Sequence, residues 1–310
     1  MDYSHPQKFT VTSEDGNWHK EYSVIIDTFD LPLRYDFEHY ELNETGKYQV
    51  FFEETQGTAL FKQYIWASGN SGFALTGVGR NPQEYPTVSI ENGIDGSRAI
   101  KLETKSTGQF GETVKMPIAA GNLFLGSFDV NNAVQKPLKA TRFGLPFGKK
   151  PLQLKGYYKY TPGTQPFKAK DKNGNTVTIP GQEDEGDIYA VLYEAAELDG
   201  KALDGNNVLT SENIVALARV EVEKKDEFTA FHVDFHYGSR IPIDWPKFIQ
   251  DQRDPSDDGT APYLSFSEEK MKNYEYNLAV VFTSSKYGAY FAGSVGSTLC
   301  IDKVEIVCEK

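Results

Sequence analysis

The stretch FTAFHVDFHY, residues 228–237, decides the fold class. Phe231, Val233 and Phe235 fall on one parity, and His232, Asp234 and His236 on the other. Successive strand residues point to opposite faces, so the alternation reads as a strand with one apolar and one polar face. The His-Val-Asp-Phe-His run invites a zinc reading. Two histidines at i and i+4 meet one ion only on a helix. On a strand they stand about 13 Å apart. The polar parity is therefore read as a polar sheet face.

The same signature extends along the chain. Strand-length segments appear at residues 47–53, 98–104, 122–130, 152–160, 187–194, 214–222, 276–283 and 298–307. Clusters of Gly, Pro, Asn and Asp separate them. Residues 9–12 and 18–26 form a hairpin across Glu14-Asp15-Gly16-Asn17. Asn173-Gly174 marks a second hairpin turn. Asp171 before it echoes a calcium loop, but the closing Glu of such a loop is missing. Helical character is confined to one or two solvated turns at residues 267–274. Many short antiparallel strands with almost no helix predict an all-β sandwich or barrel.

The chain has 310 residues and 39% hydrophobic residues, including 20 Phe and 18 Tyr. That supplies a core, and the aromatic weighting favours strands. The formal charge of −12 opposes nucleic-acid binding, which rests on neutralising phosphates with Lys and Arg. No apolar run approaches the roughly 18 residues of a membrane-spanning helix. The two cysteines, Cys300 and Cys308, share one strand and stand about 26 Å apart. They cannot form a disulfide with each other. The opening residues show no basic and apolar segments of an export signal.

Asp30-Leu31-Pro32 interrupts the strand pattern, which sets a domain boundary at residues 33/34. About thirty residues cannot fold alone, so residues 1–33 read as an extension and 34–310 as the main domain. Residues 238–273 look like an inserted polar loop, with Trp245 and the acidic run of residues 254–259. Loops of such length are functional or disordered.

Trp66 and Tyr64 share parity before Gly- and Asn-rich turns. A flat ring at a strand end is a platform for an apolar ligand face, with core packing as the alternative. Tyr287 lies in the Gly-rich loop SSKYGAYFAGSVGS. Asn70, Lys159 and Asp187 complete the candidate ligand-binding set as polar partners. Trp18 reads as structural. Asp302 shares parity with Cys300, Val304 and Ile306, and Glu38 with Tyr40 and Leu42. Buried carboxylates are paired, hydrogen-bonded or metal-bound. These two either share one Ca²⁺, with backbone carbonyls completing the shell, or are exposed or paired with Lys or Arg.

A glycosidase needs two carboxylates flanking the scissile bond. The glucanase pattern Glu-x-Asp-x-x-Glu has its nearest match at Glu185-Gly186-Asp187, where Ala190 takes the last position. Residues 181–186 read as a solvated acidic turn. Asp187, Glu194, Asp129 and Asp234 are the remaining acid candidates, and none stands out. No Ser/His/Asp, Cys/His or phosphate-loop signature occurs in recognisable form.

The segments RYDFEHYEL, YIWASGNSGFALTG, IKLETKSTGQFG, MPIAAGNLFLGSF, RFGLPFGKKPLQLKGYYKY and GDIYAVLYEA, and above all VVFTSSKYGAYFAGSVGSTLCIDKVEIV, resemble the "putative carbohydrate metabolism domain" family. The resemblance covers residues 34–307, and its most specific block is 284–302. It implies a jelly-roll β-sandwich like those of carbohydrate-binding modules. It also implies an exported protein of the cell surface or periplasm of Gram-negative gut bacteria, held to a membrane only through a lipid anchor outside this chain. Residues 8–26 resemble the end of an immunoglobulin-like domain. Related sandwiches hold a structural Ca²⁺ with a Glu from an early Phe-Glu strand and an Asp from the last strand, which Phe37-Glu38 and Asp302 match. Cys300 departs from the pattern, which has an aromatic there.

Three functions follow as expectations. The first is noncatalytic capture of a poly- or oligosaccharide on Trp66 and Tyr64, with weak affinity. The second is a glycoside hydrolase with an unrecognised carboxylate pair. The third is an adhesin or scaffold component that uses the 238–273 insertion as a contact surface. A fold alone does not choose among them.

Overall fold

The computed structural model describes residues 7–24, 30–55, 61–195, 198, 202–253 and 259–310. It divides into two compact units, Met1–Leu31 and Pro32–Lys310. The division falls two residues before the expected boundary, at the chain-breaking Pro32.

In the first unit, strands Gln7–Thr12 and His19–Val24 pair antiparallel. Gly16 sits at φ +72° in the connecting turn, a conformation that costs glycine little. Trp18 is 52% exposed. The structural role expected for it is therefore not one of core packing.

The second unit is a sandwich of two antiparallel sheets. The first sheet runs in the order Lys225–Asp234, Pro151–Thr161, Thr298–Cys308, Ala99–Glu103, Thr87–Ile90, and Arg34–Tyr35 also pairs with Thr298–Cys308. The second runs Thr141–Phe143, Asn122–Phe128, Tyr276–Thr283, Asp187–Glu194, Ile214–Val220, His236–Tyr237. Their inner faces meet through aromatic rings. Tyr35 of the first sheet packs edge-on to Trp66, with ring centroids 5.0 Å apart, and Trp66 lies 6.0 Å from Phe282 of the second.

The alternation in residues 228–237 holds: Phe231 and Phe235 are buried, while His232, Asp234 and His236 are exposed. The single strand does not. It leaves the first sheet at Asp234 and joins the second at His236, so Phe235 turns the corner between sheets. Leu154, Tyr158 and Tyr160 bury as their parity demands. Leu152 shares that parity yet is 40% exposed, because the register shifts between Pro151 and Gln153.

Asp187–Glu194 is buried at every position. A strand covered on both faces needs a second layer. Residues 203–209, 241–245 and Tyr263 supply it. Leu203, Val208, Leu209 and Tyr263 are buried against Tyr189, Val191 and Tyr193, and Ile241, Ile243 and Trp245 pack on the same cluster. The insertion, expected as a polar loop, thus turns Ile241, Ile243 and Tyr263 inward and carries two short helices, Lys247–Gln250 and Glu268–Lys272, the second where one or two helical turns are expected. Ser267 caps the second helix, accepting from Lys270 N. Its acidic run 254–258 lies outside the described residues. Among the described residues, no helix is long and apolar enough to cross a membrane.

Candidate functional site

One end of the second sheet's outer face is not filled by that covering layer. Here Phe124, Val281, Tyr189 and Arg219 face one another across four strands. Asp187 stands beside Thr283 in the next row. They form the floor of a cleft of ≈ 200 Å³. Asp187 is two residues from the direct cross-strand partner of Arg219, a diagonal that long side chains span. Arg219 donates Nε to Oδ1 at 2.9 Å and Nη2 to Oδ2 at 2.6 Å. This planar two-bond pairing satisfies two charges where water is scarce. An arginine inside the apolar strand IVALARV is explained by it.

The insertion builds one wall. Trp245 carries the Arg253 guanidinium over its ring at 4.1 Å, and Arg253 Nη1 donates to the Tyr290 hydroxyl at 3.1 Å. The loop of residues 284–297 builds the adjacent wall with Lys286, Ala289, Tyr290 and Phe291. Phe73, Phe110, Met116 and Phe128 close the opposite side. Phe110 is 41% exposed, so the mouth is apolar as well.

Asp184 holds the 284–297 loop in place. Its Oδ2 accepts from Ser285 Oγ at 2.6 Å, Ser294 N at 2.7 Å and Ser297 Oγ at 2.7 Å. Ser285 also bonds Thr104 at 2.6 Å, tying the knot to the chain after Ala99–Glu103. A Cβ on Gly293 would stand 2.5 Å from Ser285 Oγ, which explains glycine there. The acidic turn expected to be solvated instead sends Asp184 inward, 2% exposed. Burial pushes its carboxyl up to about 6, against the pull of those three donors and of Glu185 N, which donates to Oδ1 at 3.0 Å.

The sequence-derived site residues do not gather. Asp187 alone lines the cleft. Tyr287 stands behind the wall, packed on Trp245 and Phe248, and burial pushes its phenol up to about 12. Trp66 is 4% exposed and donates its indole N–H to Glu53 at 2.8 Å. It is a core residue and offers no face to a ligand, which corrects the platform expectation. Asn70 is fully buried and mimics a strand partner, donating to Thr87 O at 2.8 Å and accepting from Thr87 N at 3.1 Å. That is a structural clamp, not a ligand contact. Tyr64 is 51% exposed, away from the cleft, and donates to Glu41 at 2.7 Å. Lys159 lies on the first sheet with its ammonium over Phe228.

The acid candidates are also dispersed. Glu194 is buried and paired with Lys270. Asp129 caps a short turn and meets Arg142 at 3.1 Å. Asp234 is exposed and accepts from Gln153. Among the described residues, Asp187 is the one carboxylate that lines the cleft. Arg219, Trp245, Arg253 and Tyr290 were absent from the candidate set. The signal for Arg219 was a lone charge in an apolar strand, next to a strand that opens on Asp187.

Glu38 and Asp302 do converge, on residues 93–98. Arg98 N donates to Glu38 at 2.9 Å. Ile94 N and Ser97 Oγ donate to Asp302 Oδ2 at 2.6 and 2.9 Å, and Lys303 N to Oδ1 at 2.7 Å. Phe37, Asn92, Asp95 and Lys303 around them all have positive φ. Among the described residues, no group of three or more His, Cys, Asp and Glu is placed to hold a metal. A calcium ion here would draw most of its oxygens from backbone carbonyls.

The profile of the putative carbohydrate metabolism domain matches residues 36–307. No curated protein matches the chain. Two solved structures are similar over nearly all of it. A putative glycoside hydrolase from Bacteroides thetaiotaomicron shares 41% identity at TM-score 0.74, covering 100% of this chain and 80% of its own. A putative glycoside hydrolase from Bacteroides vulgatus shares 34% at TM-score 0.71, covering 91% of this chain and 100% of its own. The family 11 carbohydrate-binding module of Clostridium thermocellum aligns over 83% of this chain at 7% identity and TM-score 0.32, too loose a likeness to bear on function. The match over residues 36–307 is decisive, and the chain belongs to the putative carbohydrate metabolism domain family.

Proposed function

We propose that the chain binds glycan without cleaving it, and that the cleft on the second sheet is where it binds. The observation that carries this reading is the composition of the cleft. It combines aromatic walls with one carboxylate already satisfied by a guanidinium. Stacking and a few fixed polar groups suit sugar recognition. Hydrolysis needs two carboxylates at a defined separation. The test is incubation with a panel of plant and host polysaccharides, reading retention and released reducing ends together. Retention without release, lost in Trp245→Ala, supports the reading. Release of reducing ends overturns it.

Glycoside hydrolysis is the second reading, favoured by the names of the two similar structures. It would need a second carboxylate beside Asp187, and among the described residues the cleft lining holds none. The scaffold reading draws no support from Ile249 and Tyr263 of the insertion, which are buried. A structural Ca²⁺ between Glu38 and Asp302 is part of the proposal. The strained backbone around both carboxylates supports it.

A further inference from the structure

We propose that the cleft takes an aromatic acyl group esterified to the glycan, rather than bare sugar rings. The inference rests on the cleft being the glycan site and names what enters it. Four observations carry it. The first is size: ≈ 200 Å³ is close to the roughly 150 Å³ apolar cavity that holds one benzene ring. A ring with a short acyl arm fits that space, whereas two or three sugar rings do not. The second is lining. Phe73, Phe110, Phe128, Trp245, Tyr290 and Phe291 surround the space with ring edges and faces. Sugar hydroxyls buried there would lose water without finding enough partners, at a cost that an aryl ring does not incur. The third is the placement of polar groups. The floor offers one carboxylate–guanidinium pair, and the walls the Arg253 guanidinium and Lys286, whose ammonium is already paired with Glu185 at 2.7 Å. A few polar anchors in an apolar shell match a ring with an ester oxygen and one polar tip. The fourth is the mouth, where two lining residues reach solvent, Phe110 at 41% exposure and Ala289. An apolar rim suits a substituent entering from a glycan that stays outside.

The probes are an arabinoxylan fragment carrying hydroxycinnamoyl esters, the same fragment after saponification, and methyl 4-hydroxycinnamate alone. Binding of each to the full chain is measured by calorimetry. The wild type and Ala289→Trp are compared; the latter places an indole at the mouth from an exposed position, and its melting curve verifies the fold. The expected result is at least tenfold tighter binding of the esterified fragment than of the saponified one, abolished in Ala289→Trp. Equal binding of both fragments overturns this inference and leaves the glycan reading standing. Binding of the methyl ester with neither fragment overturns this inference, since the pocket then takes no ester borne on the glycan. Binding of none of the three overturns it as well, and the polysaccharide panel decides the glycan reading separately.

Discussion

Glu53 accepts the Trp66 indole N–H while only 7% exposed. Burial pushes its carboxyl from 4.5 up to about 7. The folded state therefore holds a proton that the unfolded state releases, and stability is full below pH 4.5 and declines as pH rises through 7. At 1.36 kcal/mol per unit the loss is about 3 kcal/mol at most. Asp184 tilts the curve the same way. Glu53→Gln keeps an acceptor for the indole and removes the titration. Urea unfolding from pH 4.5 to 8 should show a falling wild-type midpoint and a visibly flatter curve for Glu53→Gln. Equal slopes would place the proton elsewhere. The Asp187–Arg219 pair obeys a different rule, since removing one partner strands a charge in a dry place. Asp187→Ala and Arg219→Ala should each cost about 3 kcal/mol. The double variant should cost clearly less than their sum in a double-mutant cycle. At this scale the sequence was legible in parity and poor in partners. Trp66 was known to share a face with Tyr64, but not that Glu53 would receive its N–H from another strand.

The strands were legible because each carries its own period. The corner at Phe235 was not, because alternation continues unbroken while the hydrogen-bonding partner changes from Gln153 and its neighbours to Leu217. The insertion was misread for a related reason: its apolar residues are spaced irregularly, so no period announces the face that buries them. The 284–297 loop is the clearest case of an element set by distant chemistry. Its serines and glycines looked like turn composition, and their common partner, Asp184, lies about 100 positions earlier in an acidic run. Asp184→Asn keeps the size of the side chain but leaves one oxygen where two oxygens take four donors, so the amide NH2 faces at least one of them. The sheets should survive, with a loss of about 1–3 kcal/mol. Amide exchange should rise in residues 285–297 and stay unchanged in Asp187–Glu194. If the glycan reading is right, retention falls with it, because the wall carrying Tyr290 and Phe291 is released. Unchanged exchange in the loop would show that the knot does not hold it.

Across the whole molecule the recurring problem is a carboxylate without water, met by a different device at each place. Asp187 takes a guanidinium, Glu194 an ammonium, Asp184 four donors, and Glu53 a proton. Asp302 is the case that an ion would complete. It is fully buried, and three donors reach it, two of them on Oδ2. Among the described residues, four of the seven non-glycine residues with positive φ stand beside it, beside Glu38 or in the loop they share. Such conformations cost about 1–3 kcal/mol each where β-carbons crowd the backbone. Something must fix them, and hydrogen bonds through Asp302 already do part of that. A bound cation would do the rest, and it would act on the folded state alone. With calcium at a hundredfold excess over its dissociation constant the gain is about 2.7 kcal/mol. For a chain of this size that raises Tm by about 4–5 °C. The melting curve should move by that amount between chelator and millimolar calcium, and the shift should vanish in Glu38→Gln. Glu38→Gln keeps an acceptor for Arg98 N, so a variant that folds with an unshifted melting curve isolates the ion. A wild-type curve indifferent to calcium would mean that the amide and hydroxyl donors alone hold the loop, and the metal proposal would fall while the sandwich and the cleft stand unchanged.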